Sequence, residues 1–289
     1  MKKPTPDQPR LVPPPRPLET ADLSSVEAVF TDVDGTLTTA NRLESGTVLA
    51  LERLKGAGLK VVLVSGRPAG WGECWARTLP VDGVIVENGG LYFARDAAGR
   101  LEKVYAQKPG KRKTSRARLL REVKGVLGKV KGARLSSDSA YTEVDIAIDH
   151  AEEAHLAPRD VDRLEGLLRA RKVTAVRSSV HINCWVGEFD KLSSVRMFVE
   201  REWKLTVEPS DPRFVYVGDS FNDAPMFKGF ALSIGVSNVR DVLERISHPP
   251  AYIASAPEGR GFQELVTAIL EQKGRGSPAA VTAKNEIVA

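Results

Sequence analysis

Val26-Glu27-Ala28-Val29-Phe30-Thr31-Asp32-Val33-Asp34-Gly35-Thr36 runs from an apolar, β-branched segment directly into two acids and a glycine. The first six residues read as a buried strand, and the carboxylates begin where it ends. Open α/β sheets place their ligands at strand ends of this kind. Side chains alternate faces along a strand, so Asp32 and Asp34 reach the same small volume. A carboxylate that attacks phosphorus needs its own charge offset, and a Mg2+ ion shared with the phosphate oxygens supplies that. Asp32 suits this role, and Asp34 is placed to carry protons. Gly35 allows a tight turn after the strand. Taken alone, the same residues would also serve as an acidic turn.

Three clusters farther along the chain carry complementary chemistry. Ser65-Gly66-Arg67 follows the strand-like Lys60-Val61-Val62-Leu63-Val64, and Lys191 opens a helix-like run from Asp190 to Phe198. Gly218-Asp219-Ser220-Phe221-Asn222-Asp223 follows the strand-like Phe214-Val215-Tyr216-Val217. Acids four apart at a strand-to-helix transition can approach one cation, and hard carboxylate oxygens suit Mg2+. In isolation Lys191 reads first as a solvated helix-start lysine, and a helix N-cap is the alternative reading of Asp219.

In this order, and with Asp32-Val33-Asp34-Gly35-Thr36-Leu37-Thr38 at their head, the clusters resemble the signature of the haloacid dehalogenase superfamily of phosphotransferases. The resemblance implies a phosphatase in which Asp32 forms an aspartyl-phosphate that water then cleaves, with Asp34 as acid and base. It implies that Ser65 donates its hydroxyl to the transferred group and that Lys191 steadies the charge on nucleophile and phosphate. Asp219 and Asp223, with Asp32 and Asp34, would hold Mg2+, and no organic cofactor is needed. Backbone N–H groups after the nucleophile, near Gly35, can bind equatorial oxygens, with Thr36 adding its hydroxyl.

The 289 residues, 42% of them hydrophobic, suffice for a large core and more than one domain. Strand and helix alternate from Val26 to about Phe93, which predicts a parallel sheet flanked by helices. Glu87-Asn88-Gly89-Gly90 is similar to the turn that precedes an inserted α/β cap in one branch of the superfamily. The expected organisation is a proline-rich disordered tail at 1–22, a catalytic core at 23–94 and 188–274, an α+β cap at 95–187, and a loose tail at 275–289. A further helix is expected from Val239 to Ile246. Cys74 and Cys184 lack metal-ligand spacing and read as reduced. No apolar run is long enough to span a bilayer and no signal core is present, so no membrane partner and a cytoplasmic location are expected.

Substrate choice falls to residues that a cap lowers over the site. His181 and Asn183 sit two apart on a predicted strand and so share a face suited to hydroxyls, although His181 also reads as a structural histidine. Arg67 is placed to meet either substrate or a core acid, and Gly66, Asn88 and Asn222 complete the expected substrate-binding set. Between Lys108 and Arg134 there are eleven Lys or Arg against Glu122 alone, so this segment carries +10 and the remainder −5. That fits a solvated helix face or attraction of anionic substrates. The stretch lacks interleaved aromatics, which argues against nucleic acid. The capped branch resembles sucrose-phosphate, trehalose-phosphate and mannosyl-phosphoglycerate phosphatases, which makes a sugar phosphate the expected substrate. A phosphomannomutase-like phosphosugar mutase is the alternative, and a non-catalytic anion- or RNA-binding module is the reading from another class.

Overall fold

A computed structural model describes residues 13–274. Nine strands form one sheet, in the order β1 (Arg16–Pro17), β13 (Tyr252–Ile253), β12 (Leu232–Gly235), β11 (Phe214–Gly218), β2 (Ala28–Thr31), β3 (Lys60–Val64), β4 (Gly83–Val86), β5 (Leu91–Arg95), β6 (Leu101–Tyr105). All neighbours from β1 to β4 pair in parallel; β5 and β6 add an antiparallel hairpin at one edge. The central strands are apolar almost throughout because both faces of the sheet are covered. Helices α1 (Ser45–Gly56), α2 (Ala69–Thr78) and α7 (Glu258–Gln272) bury Leu51, Leu54, Ala76, Phe262 and Leu265 with one face. Helices α5 (Lys191–Phe198) and α6 (Ala224–Gly229) bury Phe198 and Met226 with the other, around Phe30 and Tyr216.

Register decides where the functional clusters meet. Thr31 lies opposite both Leu63 and Val217, so β2, β3 and β11 run out at one level. The turns carrying Asp32, Ser65 and Asp219 therefore emerge side by side at the carboxyl edge.

Between β6 and α5 the chain builds a second, antiparallel sheet in the order β7 (Arg134–Leu135), β8 (Ile146–Asp149), β10 (His181–Trp185), β9 (Thr174–Arg177). Helices α3 (Pro109–Leu127) and α4 (Pro158–Arg169) cover one face, packing Leu119, Val123, Leu164 and Leu168 against Ile146, Ile148, Ile182 and Cys184. The basic run lies largely on α3, whose apolar stripe is inward while Lys111, Lys113, Arg121 and Lys124 are exposed. By alternation His181, Asn183 and Trp185 occupy the opposite face of β10.

Three expectations change. Arg16–Pro17 pairs with β13, and Leu18 and Ala21 are buried, so residues 16–22, expected in the tail, join the edge of the core. Proline is tolerated there because an edge strand needs no N–H on its outer side. The antiparallel strand β6 belongs to the large sheet although it falls within 95–187. Ser237–Asp241 is a short 3-10 turn in place of a helix over 239–246. Residues 1–12 and the expected tail at 275–289 lie outside the described residues. Among the described residues no helix is long and apolar enough to cross a membrane.

Candidate active site

Asp32, Asp219 and Asp223 converge at the carboxyl edge, each buried, with one oxygen of each within 4.8 Å of the others. Lys191, the first residue of α5, is 1% exposed and places Nζ 2.7 Å from Asp32 Oδ1 and 2.6 Å from Asp223 Oδ1. Asp190 caps that helix by accepting from the Ser193 N–H, which fixes where the lysine side chain starts. Tyr216 donates to Asp223 Oδ1 at 2.5 Å, and the N–H groups of Asp219 and Ser220 donate to Asp223 Oδ2 at 2.9 and 3.0 Å. Thr36 donates to Asp219 Oδ1 (3.2 Å) and Asn238 Nδ2 donates to Asp219 Oδ2 (3.0 Å). Gly35 has φ +75°, and a Cβ there would lie 2.5 Å from Asp219 Oδ2. Both the left-handed turn and the close approach require glycine.

Three carboxylates against one ammonium leave an excess of negative charge in a buried space. Burial pushes Asp32 up to about 8, against the pull of Lys191. Asp219 is held well above the usual carboxylate range by burial and by the charges of Asp32 and Asp223. Burial opposes the charge on Lys191, but Asp223 and Asp32 outweigh it and hold the ammonium above its ordinary value.

Asp34 does not join this cluster. Its carboxylate accepts from Arg67 Nε at 3.0 and 2.9 Å and from Nη2 at 2.7 Å. Of the four acids expected from sequence around a cation, Asp32, Asp219 and Asp223 cluster, while Asp34 is held by a bidentate guanidinium. Arg67 is 5% exposed and also reaches the second sheet's connecting segments. Its Nη2 donates to Glu152 Oε1 at 2.7 Å, and Nη1 lies 3.1 Å from Glu152 Oε2 and 3.4 Å from Asp138 Oδ2. Arg67 thus meets both core and cap acids, where its sequence context had left substrate and core acid open.

Ser65 is buried and its Oγ accepts from the Arg67 N–H at 3.0 Å. A narrow cleft is lined by Asp32, Asp34, Gly66, Arg67, His181, Asn183 and Asn222. Beyond Asn222 it adjoins a chamber of about 440 Å³ walled by Val176, Trp185, Phe189 and Lys191. Asn222 donates to Asn88 Oδ1 (3.3 Å) and Asn88 to Asp145 Oδ2 (3.2 Å). Asn183 is 1% exposed, and its side-chain oxygen and nitrogen both lack partners. His181 Nε2 sits 2.8 Å from Glu152 Oε2, off the line of a good hydrogen bond.

Glu87 ties the two sheets' regions together. Glu87 and Asn88 have φ of +50° and +54°. The buried Glu87 carboxylate accepts from the N–H groups of Ala69, Glu143, Val144 and Asp145 at 2.5–2.9 Å. Those four bonds offset the strain of two left-handed residues.

The sequence reading missed Asp138, Glu152, Tyr216 and Asn238 as neighbours of the site. Glu152 and Asp138 lie in loops of mixed polar residues without periodicity, and no local pattern marks them. Asn238 stood only as the residue before an expected helix.

The sequence family described as haloacid dehalogenase-like hydrolase matches residues 29–109. A phosphoglycolate phosphatase of Methanoculleus marisnigri is 30% identical over 83% of this chain and 95% of its own length. The chain belongs to the haloacid dehalogenase-like hydrolases. A phosphoglycolate phosphatase of Methanosarcina acetivorans is 28% identical over 86% of this chain and 98% of its own. Among solved structures, a Thermoplasma acidophilum protein superposes with a TM-score of 0.62 at 19% identity, covering 86% of this chain and 99% of that one. The sucrose-phosphatase of a Synechocystis species, solved with sucrose and phosphate, gives 0.60 at 15%, covering 85% and 98%. These likenesses bear on fold. The chain is a phosphatase, a hydrolase of phosphoric monoesters. Hydrolases of this family generally use a divalent metal ion, and the buried aspartate cluster is present to receive one.

Proposed function

We propose that this phosphatase cleaves the phosphate monoester of a sugar or sugar derivative through an aspartyl-phosphate on Asp32, with Mg2+ held by Asp32, Asp219 and Asp223. The observation that carries the mechanism is the contact of Asp32 with Lys191 at 2.7 Å inside a three-carboxylate cluster. Hard oxygens, burial and three carboxylates against a single ammonium suit a small divalent cation. When bound, Mg2+ offsets the charge on the nucleophile and on the phosphate oxygens. The free Oδ of Asp32 attacks phosphorus, and the P–O bond to the leaving group breaks. Asp34 gives a proton to the departing alkoxide and then takes one from the water that attacks the acyl phosphate. Inorganic phosphate leaves and Asp32 is regenerated. Lys191 stays charged throughout and balances the nucleophile. Ser65 and the N–H groups around Gly35 and Thr36 bind the equatorial oxygens.

The sugar reading is supported by Asn183, whose buried amide has no partner, beside His181 in the same cleft. Buried amides without partners are rare and accept hydroxyl partners readily. The names of the relatives favour 2-phosphoglycolate as a second reading. Phosphate release from hexose phosphates, disaccharide phosphates, nucleotides and 2-phosphoglycolate, with Mg2+ or EDTA and with Asp32→Asn as the blank, decides between them. Selective Mg2+-dependent release from a sugar ester supports the proposal; release from 2-phosphoglycolate alone overturns the sugar reading.

A further inference from the structure

The leaving-group side of the cleft is acid-rich. Arg67 faces three carboxylates there: Asp34 from the core, and Asp138 and Glu152 from the second sheet's loops. Its fork is occupied from both sides, so it offers no free edge to a further carboxylate. Glu152 is held in place by a buried neighbour. Asp149 accepts from the N–H groups of Glu152, Glu153 and Ala154 at 3.0, 3.0 and 2.8 Å, which fixes the loop and aims Glu152 across the seam. His181 and then Arg67 draw the Glu152 carboxyl down to about 2, so it is ionised at any pH where the enzyme works. The unpartnered buried atoms nearby include the oxygens Asp138 Oδ1 and Asn183 Oδ1 and the nitrogens Asn183 Nδ2 and His181 Nε2. Burial and the neighbouring charge of Glu87 raise Asp145 well above the carboxylate range, so it adds no charge to this count.

Three carboxylates on one guanidinium leave this wall with more negative charge than positive. A leaving group with hydroxyls donates to these oxygens and accepts from Asn183 without adding charge, while a leaving group with its own carboxylate meets like charges. We propose that Glu152 is a specificity-determining residue that reserves the cleft for uncharged, hydroxyl-bearing leaving groups and disfavours anionic ones. The inference rests on the sugar-ester reading above, and it sets this chain apart from what the names of its phosphoglycolate phosphatase relatives state.

The test compares kcat and KM of the full-length, Mg2+-loaded wild type, Glu152→Gln and Glu152→Ala on a hexose phosphate and on 2-phosphoglycolate. The wild type is expected to favour the hexose ester. Glu152→Gln keeps the shape and removes the charge, and should raise the ratio of kcat/KM for 2-phosphoglycolate over the hexose ester about tenfold or more, chiefly through a lower KM for 2-phosphoglycolate. Mere loosening of the cap would lower both activities and leave that ratio unchanged. A wild type that favours the hexose ester, with the ratio unchanged in both variants, overturns the role of Glu152 and leaves the function intact. A wild type that favours 2-phosphoglycolate over every sugar ester overturns the function reading, and this inference with it.

Discussion

Removing the metal should make the stability of this protein fall steeply with rising pH. In the metal-free fold Asp32 keeps its proton up to about 8, whereas the unfolded chain gives it up near 3.8. Between those values the native state binds more protons than the unfolded state, so stability is fully present below about 3.8 and is lost as pH rises through 8. At about 1.4 kcal/mol per pH unit, the step from pH 5 to pH 8 is worth on the order of 4 kcal/mol. Asp219, raised in the same direction by the same crowding, adds to it. For a chain of this size about 2–4 °C accompany each kcal/mol, so the melting temperature in EDTA should drop by roughly 10 °C across that range. Mg2+ added at pH 8 should restore most of the loss by replacing the proton, and should do little at pH 5. Calorimetry at four pH values with EDTA or Mg2+, and with Asp32→Asn as a control that flattens the profile, measures this. A melting temperature independent of pH in EDTA, or an equal Mg2+ effect at pH 5 and pH 8, would refute the reasoning.

Asp32→Asn should release no phosphate from any ester while melting above the wild type in EDTA at pH 8, because one charge leaves the cluster; retained turnover in a phosphate-release assay would remove Asp32 as nucleophile. Lys191→Met leaves Asp32 and Asp223 without their shared cation and should destabilise the metal-free protein by about 3–5 kcal/mol in urea unfolding. Glu87→Gln disturbs four backbone N–H contacts and should lower stability by ~2–3 kcal/mol, with early proteolytic cleavage near 142–146; an unchanged digestion pattern would count against its bridging role. Leu18→Ala should cost about 2–5 kcal/mol, which a residue in a loose tail could not.

Much of the core was legible because its signals are local. Apolar runs end at Asp32, Ser65 and Asp219, and a parallel sheet places the ends of neighbouring strands together. His181 and Asn183 were legible as sharing a face, since strand alternation does not depend on what the strand packs against. The segment around Leu18 was not, because its prolines dominate composition while its burial depends on β13, more than 200 residues away. The short helix expected at 239–246 failed where the turn is set instead by Asn238, which reaches Gly35 and Asp219 and accepts from the Glu258 N–H.

By itself the sequence determined the residue types of a phosphoryl-transfer site, their order and the strands that carry them, since these follow from side-chain chemistry and from short-range periodicity. Only the tertiary structure decided that Arg67 takes Asp34 out of the carboxylate cluster, that Tyr216 and Lys191 crowd onto Asp223, and that Glu152 closes across the seam. Electrostatic partnership depends on distances between side chains set by packing of segments tens to hundreds of residues apart, and no local pattern encodes those distances.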